Sequence, residues 1–105
     1  MAAPRGKPAR PSDRVLRDAE RMFRALADRT RLRLLCALLR KREWRVTDLA
    51  AALGCSLSAL SHQLAKLRDR RVVAARRDGR VAWYAISDAH VATLLRQALR
   101  HAAHP

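Results

Sequence analysis

The chain has 105 residues, of which 23 are lysine or arginine and 9 are acidic, and its formal charge is +14. This length suits one small domain with a single core, and the positive surface favours a polyanionic partner, nucleic acid before an anionic membrane. No apolar run is long enough for a membrane span or placed like a signal peptide, so we expect a cytoplasmic protein without a membrane partner, whose Cys36 and Cys55 are free thiols.

The first third of the chain divides into a tail and two helices. Residues 1–12 hold three of the four prolines and several basic side chains, which predicts a disordered basic tail. The remainder, 13–105, is expected to form the domain. After a cap at Ser12 or Asp13, apolar side chains recur at helical spacing to about residue 27, and a second helix is predicted over 30–41.

A helix-turn-helix follows. Thr47 is the expected cap of a short third helix that ends at Leu53, and Gly54 is expected to stop it. Ser56 then begins a fourth helix, which is predicted to reach about Asp69. A short helix, a glycine-bearing turn and a second helix are the outline of a DNA-binding helix-turn-helix.

The fourth helix separates an apolar face from a polar one. Leucines at positions 57, 60, 64 and 67 predict its buried stripe. Its polar face carries short hydrogen-bonding side chains that suit base edges and phosphates in a major groove, although an ordinary solvated face explains the same pattern. Gln63 is the expected adenine contact. The predicted DNA-binding residues of this helix are Ser58, Ser61, His62, Gln63 and Lys66.

A hairpin is predicted next. Two β-type runs, over 72–76 and 80–86, are joined around Asp78 and Gly79. Arginines crowd the tip, as expected of a wing that contacts phosphate or enters a minor groove. These predicted DNA contacts are Arg76, Arg77 and Arg80. With a fifth helix after the hairpin, the fold class is mainly α with a β-hairpin, a winged helix-turn-helix in the order ααααββα that dimerises through its terminal helices.

The fifth helix carries four metal-ligand types at helical spacing: Asp88, His90, His101 and His104. His90, His101 and His104 share one face of the helix. His90 and His101 are nevertheless separated by roughly 16 Å of helix rise, whereas zinc needs its ligands about 2 Å away. Two copies packed antiparallel across a twofold axis would bring the start of each helix to the end of its partner. The spacing therefore predicts a homodimer with metal between the subunits.

Ordinary helix capping is the alternative interpretation of these four residues. Asp88 could cap the fifth helix, His101 and His104 could interact with the dipole at its end, and His90 could be an exposed polar residue. Capping accounts for the two helix ends but does not account for the shared face.

From about residue 15 to its end, the chain resembles the ArsR/SmtB metal-responsive transcriptional repressors. The resemblance is carried by Phe23-Arg24-Ala25-Leu26-Ala27-Asp28, Ser58-Ala59-Leu60-Ser61-His62-Gln63-Leu64, Gly79-Arg80 before Trp83-Tyr84, and the ending His101-Ala102-Ala103-His104-Pro105. The ending and residues 88–93 look most like the zinc and cobalt sensors of the SmtB/CzrA kind. That resemblance implies a ligand set of Asp88, His90, His101 and His104, and a coupling hydrogen bond from His101 to a carbonyl near Arg71.

Departures from the family pattern reduce the number of metals that the site is expected to bind. Residues 43–49 lack the cysteine pair of the arsenic, cadmium and lead sensors, and the last helix lacks the cysteine of the persulfide sensors. The tail also has no histidine to complete the six ligands of the nickel sensors. Four nitrogen and oxygen ligands without thiolate fit tetrahedral zinc, with cobalt as a close substitute and nickel as a poorer one.

These observations predict a homodimeric repressor that binds a palindromic double-stranded operator when metal-free and leaves it when zinc fills the intersubunit sites. The alternative is a metal-independent, nucleoid-type protein that binds DNA through its basic surface. A hydrolytic zinc enzyme is disfavoured, because protein side chains would occupy all four zinc positions. We therefore expect neither an enzyme nor a small-molecule substrate.

Overall fold

The computed structural model describes residues 9–105 of the chain. Within that range the elements follow in the order α1 (Asp13–Leu26), α2 (Arg29–Leu38), β1 (Trp44–Arg45), α3 (Val46–Leu53), α4 (Leu57–Asp69), β2 (Val73–Asp78), β3 (Val81–Ile86) and α5 (Ala89–Ala103). The predicted order is confirmed, with β1 as an additional strand. Most of the predicted basic tail, residues 1–8, lies outside the described residues.

Four of the helices begin where a side chain accepts a hydrogen bond from the first turn. The hydroxyl oxygens of Ser12 and Ser56 accept from N–H groups three residues later, at 3.2 and 3.1 Å. The carboxylates of Asp28 and Asp88 do the same at 2.9 and 3.0 Å. Each cap satisfies a backbone donor that the helix itself leaves unpaired and is typically worth about 1 kcal/mol.

The helix-turn-helix is formed by the end of α3 and the start of α4. α3 begins after Arg45, which makes no side-chain cap bond, so the predicted cap at Thr47 is wrong. Gly54 ends α3, as predicted, in a left-handed conformation with φ of 66° that side-chain-bearing residues rarely adopt. The Cys55 N–H donates to the Ala50 carbonyl at 3.1 Å and closes the turn, so α4 starts at a fixed angle to α3.

The strands form one antiparallel sheet in the order β1-β3-β2. β2 and β3 pair as far as Asp78 opposite Val81, leaving Gly79 and Arg80 as the turn. Gly79 has a φ of 63°, as two-residue hairpin turns require. β1 was not predicted, and it places Trp44 opposite Tyr84. The hairpin is thereby joined to the segment that follows α2.

The core lies between α2, α3, α4, the sheet and the first half of α5. Its most buried side chains are Leu35, Leu38, Leu49, Leu60, Leu64, Leu67 and Val72. Three of the four leucines predicted for the stripe of α4 are among them. Leu57 is not, because it is the first residue of the helix, beyond the edge of the core, and is 49% exposed. Both cysteines are free, with Cys36 half-buried and Cys55 exposed.

An apolar surface remains uncovered on α1. Apolar side chains at helical spacing usually form the buried face of a helix. On α1, however, three of them remain exposed: Val15 by 43%, Leu16 by 54% and Phe23 by 53%. Next to this face, a groove of about 230 Å³ between α1 and α5 is lined only by apolar residues: Phe23, Leu26, Ala27, Leu32, Leu94, Leu95 and Ala98. Exposed apolar side chains beside an apolar groove favour an interaction surface at this place.

α5 uses part of its apolar face within the chain itself. Val91 and Leu95 are 5% and 3% exposed and belong to the core. Leu94 and Leu99 are half-buried, and Ala98 is exposed. Within residues 9–105, every helix falls short of the length and apolar character that crossing a bilayer demands.

Candidate DNA-binding surface and metal centre

The outer face of α4 carries the short polar side chains. Ser58, Ser61, His62 and Lys66 are exposed, while the leucines at 60, 64 and 67 hold the opposite face in the core. Because that core packing fixes the rotation of α4, the four polar side chains point away from the domain. This is the orientation that a recognition helix needs in a major groove.

Gln63 differs from its neighbours on α4. It is half-buried, and its Oε1 accepts a hydrogen bond from Arg31 Nε at 3.1 Å. It therefore lies at the edge of the polar face, facing α2. A bidentate adenine contact needs both the oxygen and the NH₂ group of the amide, and Arg31 already occupies one of the two lone pairs of that oxygen.

The wing arginines also differ from one another. Arg77 and Arg80 are exposed at the tip of the hairpin. Arg76 lies one position further from the turn and donates from Nε and from Nη2 to the two carboxylate oxygens of Glu43, both at 2.8 Å. Its guanidinium also lies 5.6 Å from the centre of the Trp83 ring. These hydrogen bonds favour the ionised carboxylate and so lower the pKa of Glu43, whose negative charge balances the positive charge of Arg76.

This pairing alters what each arginine should contribute to DNA binding. Arg77→Ala and Arg80→Ala should each reduce the magnitude of the slope of log K against log salt by roughly one unit, because each arginine is predicted to contact one phosphate. Arg76→Ala should reduce the magnitude of this slope by less, because Glu43 already neutralises Arg76. Glu43→Gln should increase the magnitude by releasing Arg76. Anisotropy titrations at several salt concentrations measure these slopes. A loss at Arg76 as large as the loss at Arg77 would show that phosphate displaces Glu43.

The first two candidate ligands lie together at the start of α5. His90 Nδ1 is 3.2 Å from Asp88 Oδ1, and the imidazole is 89% exposed. The same carboxylate oxygen caps α5 by accepting from the Val91 N–H at 3.0 Å. The capping role considered for Asp88 is therefore real. It engages one oxygen of a carboxylate that has two, so capping and metal binding are compatible.

The other two candidate ligands lie at the far end of α5. His101 is in its last turn and His104 is the residue after it, and both are exposed. Among residues 9–105 no three histidine, cysteine or acidic side chains lie close enough together to hold one metal ion. One chain thus presents two separate ligand pairs, Asp88 with His90 and His101 with His104. Imidazole nitrogen and carboxylate oxygen are donors that zinc accepts in tetrahedral sites.

Arg71, near which the acceptor of the coupling bond is predicted, lies at a strained position two residues after the end of α4, just beyond the C-cap Arg70. Its φ of 60° is left-handed, which a non-glycine residue adopts at a cost of roughly 1 kcal/mol. The N–H of Val72 donates to the Leu67 carbonyl at 3.0 Å and closes the end of the helix. The Arg71 carbonyl accepts from Ser87 Oγ at 2.7 Å. The end of α4 is therefore hydrogen-bonded to the residue that precedes Asp88.

Three residues in these contacts were not predicted as site residues from the sequence: Arg31, Glu43 and Ser87. Each is a common polar residue whose partner is far away in the chain. Of the three, only Arg31 could have been suspected from the sequence. A positive charge in the first turn of a helix is unfavourable to the helix dipole, so such an arginine is expected to have a compensating hydrogen-bond partner.

The DNA-binding part of this fold matches a known family. Residues 28–75, from the cap of α2 into β2, match the model described as bacterial regulatory protein, arsR family. The transcriptional repressor SmtB homolog of Synechocystis sp. is 52% identical over 79 residues, which are 75% of this chain and 59% of that protein. The chain therefore spans less than two thirds of that relative.

Two further relatives are aligned over nearly the whole chain. The HTH-type transcriptional regulator NmtR of Mycobacterium tuberculosis is 41% identical over 101 residues, 95% of this chain and 83% of that protein. The solution structure of a homodimeric winged helix-turn-helix DNA-binding domain from Mycobacterium bovis superposes with a TM-score of 0.80 at 34% identity, over 90% of each chain. The chain belongs to the ArsR/SmtB family of metal-responsive transcriptional repressors, and it is a regulator rather than an enzyme.

Proposed function

We propose that this protein is a zinc-responsive repressor, which binds a palindromic operator as a metal-free homodimer and leaves it when zinc occupies sites shared between the two α5 helices. The observation that carries the proposal is the separation of two ligand pairs at opposite ends of one helix. Neither pair alone provides the four ligands of a closed tetrahedral site. An antiparallel partner helix would bring the two pairs together.

The uncovered apolar surface supports pairing with a second copy. Val15, Leu16 and Phe23 are exposed on α1, and the groove beside them extends to α5. A twofold interface uses the same patch on both subunits. One self-complementary interface would therefore bury the exposed α1 side chains and the groove of each subunit. The same axis would place two α4 helices on the two halves of a palindrome.

The donor set supports zinc as the metal. Asp88, His90, His101 and His104 supply three imidazoles and one carboxylate, with no thiolate. That set suits zinc or cobalt in tetrahedral geometry better than it suits nickel. When bound, zinc would supply a fixed link between the start of one α5 and the end of the other. The proposal requires that this closed arrangement be the conformation with lower affinity for DNA.

Zinc titration of DNA binding tests the proposed function. The metal-free protein first selects its operator from a pool of randomised duplexes, and anisotropy then gives its affinity with zinc and with a chelator. Zinc should weaken operator binding by about 5- to 150-fold, the usual range of allosteric coupling. A control protein with Asp88→Ser and alanine at His90, His101 and His104 should bind DNA and ignore zinc.

The large positive charge supports the alternative of a metal-independent DNA-binding protein. The same titration separates the two. A wild-type affinity that is equal with zinc and with chelator would favour the alternative and contradict the sensor.

A further inference from the structure

Arg31 is held at three points that join α1, α2 and α4. Its backbone N–H donates to the cap residue Asp28 at 2.9 Å, and its Nη1 donates to the Ala25 carbonyl at 3.1 Å. Its Nε donates to Gln63 Oε1 at 3.1 Å. A guanidinium fixed between two helices has little freedom left, so the group that it binds on α4 is also fixed.

The chemistry of this contact sets the orientation of the Gln63 amide. Arginine can only donate hydrogen bonds, so the atom of Gln63 that faces Arg31 must be the oxygen. The NH₂ group is then turned away from α2. At the edge of the polar face of α4, Gln63 therefore offers two donors, while its oxygen is turned towards Arg31 with one of its two lone pairs occupied.

The base edge that pairs with two hydrogen-bond donors is not the edge that pairs with an unconstrained glutamine amide, which offers a donor beside an acceptor. Adenine presents an acceptor beside a donor in the major groove, and its donor would face the NH₂ group of Gln63. Guanine presents two acceptors, N7 and O6. We propose that Arg31 is a positioning residue that turns the NH₂ group of Gln63, rather than its oxygen, towards DNA, so that this glutamine prefers guanine where a free one would prefer adenine.

This inference rests on the proposed function, because it requires sequence-specific binding by α4. Operator selection from randomised duplexes tests it, using metal-free wild type, Gln63→Ala and Arg31→Lys. Wild type should prefer guanine at one position of each half-site, on the order of tenfold over adenine, and Gln63→Ala should lose the preference at that position alone. Arg31→Lys keeps the charge but lacks the fixed fork, so its preference there should move towards adenine.

Control variants separate positioning from folding. Arg29→Lys, at an exposed position of the same helix, should leave every base preference unchanged. Gln63→Glu keeps an oxygen for Arg31 but has no donor, so it should lose the guanine preference even if Arg31→Lys is too unstable to select DNA. Thermal unfolding of each variant reports its stability.

Different outcomes would contradict the positioning role of Arg31 and the proposed repressor function. If Gln63→Ala changes no base preference, or if Arg31→Lys or Gln63→Glu keeps the wild-type preference for guanine, the positioning role is wrong while the repressor proposal stands. If wild type selects no sequence at all, the proposed function fails and the base preference fails with it.

Discussion

A mixture of two zinc-binding mutants should recover sites that neither mutant has alone. One subunit carries Asp88→Ser and His90→Ala, and the other carries His101→Ala and His104→Ala. If each site takes one ligand pair from each chain, both mutant homodimers keep only two ligands per site and should bind zinc poorly. The mixed dimer has one complete site and one with none of the four ligands. Random pairing should restore about one quarter of the wild-type zinc capacity, because about half of the dimers are mixed.

Serine is a better replacement than alanine at position 88 because Asp88 also caps α5 by accepting a hydrogen bond from the Val91 N–H. Serine can accept that hydrogen bond but is a poor zinc ligand, whereas alanine would remove the cap at a cost of about 1 kcal/mol. Competition with a chromophoric chelator measures the zinc sites, and mass spectrometry under native conditions measures the mixed dimers. Wild-type zinc affinity in either homodimer would contradict the sharing of ligands between subunits.

The parts of this fold that depend on neighbouring residues could be predicted from the sequence. Gly54 and Gly79 occupy left-handed turns because they lack a side chain, and Ser56 and Asp88 begin helices because their oxygens reach an N–H three residues later. The separation of the two ligand pairs also follows from local geometry, since the rise of a helix is fixed. Sequence alone was therefore enough to exclude a four-ligand site closed by one copy of α5.

Contacts between distant segments could not be predicted in this way. β1 has two residues and no periodicity of its own, and it exists because Trp44 pairs with Tyr84 of β3. Arg76 looked like a free wing arginine, but Glu43, 33 residues earlier, holds it. Gln63 looked like a free amide, but Arg31, 32 residues earlier, holds its oxygen. In both cases the residue type was informative, and the tertiary contact changed what that residue can do.

Replacing His101 with Nε2-methylhistidine should leave zinc bound and strongly weaken the zinc-driven release of DNA. A histidine that ligates through Nδ1 carries its other N–H as a fixed donor, whose partner is usually a carbonyl or a carboxylate. The family resemblance implies that this partner is a carbonyl near Arg71, just beyond the C-cap of α4. The methylated ring can still ligate, but it cannot donate. The 5- to 150-fold effect expected of zinc should then fall towards none, as anisotropy with and without zinc will measure.

The Ser87 hydroxyl supplies a matched control at the same carbonyl. Ser87 Oγ donates to the Arg71 oxygen at 2.7 Å, and a carbonyl oxygen has two lone pairs, so a His101 N–H would share this acceptor or displace the hydroxyl. Ser87→Ala removes the competing donor without touching a ligand, and zinc should then release DNA at least as well as in wild type. The two variants separate the routes by which α5 could act on α4. If the methylhistidine protein releases its operator normally while Ser87→Ala does not, the connection runs from Asp88 through Ser87 within one chain. If both release normally, neither hydrogen bond carries the signal, and a steric closing of the dimer becomes the better account.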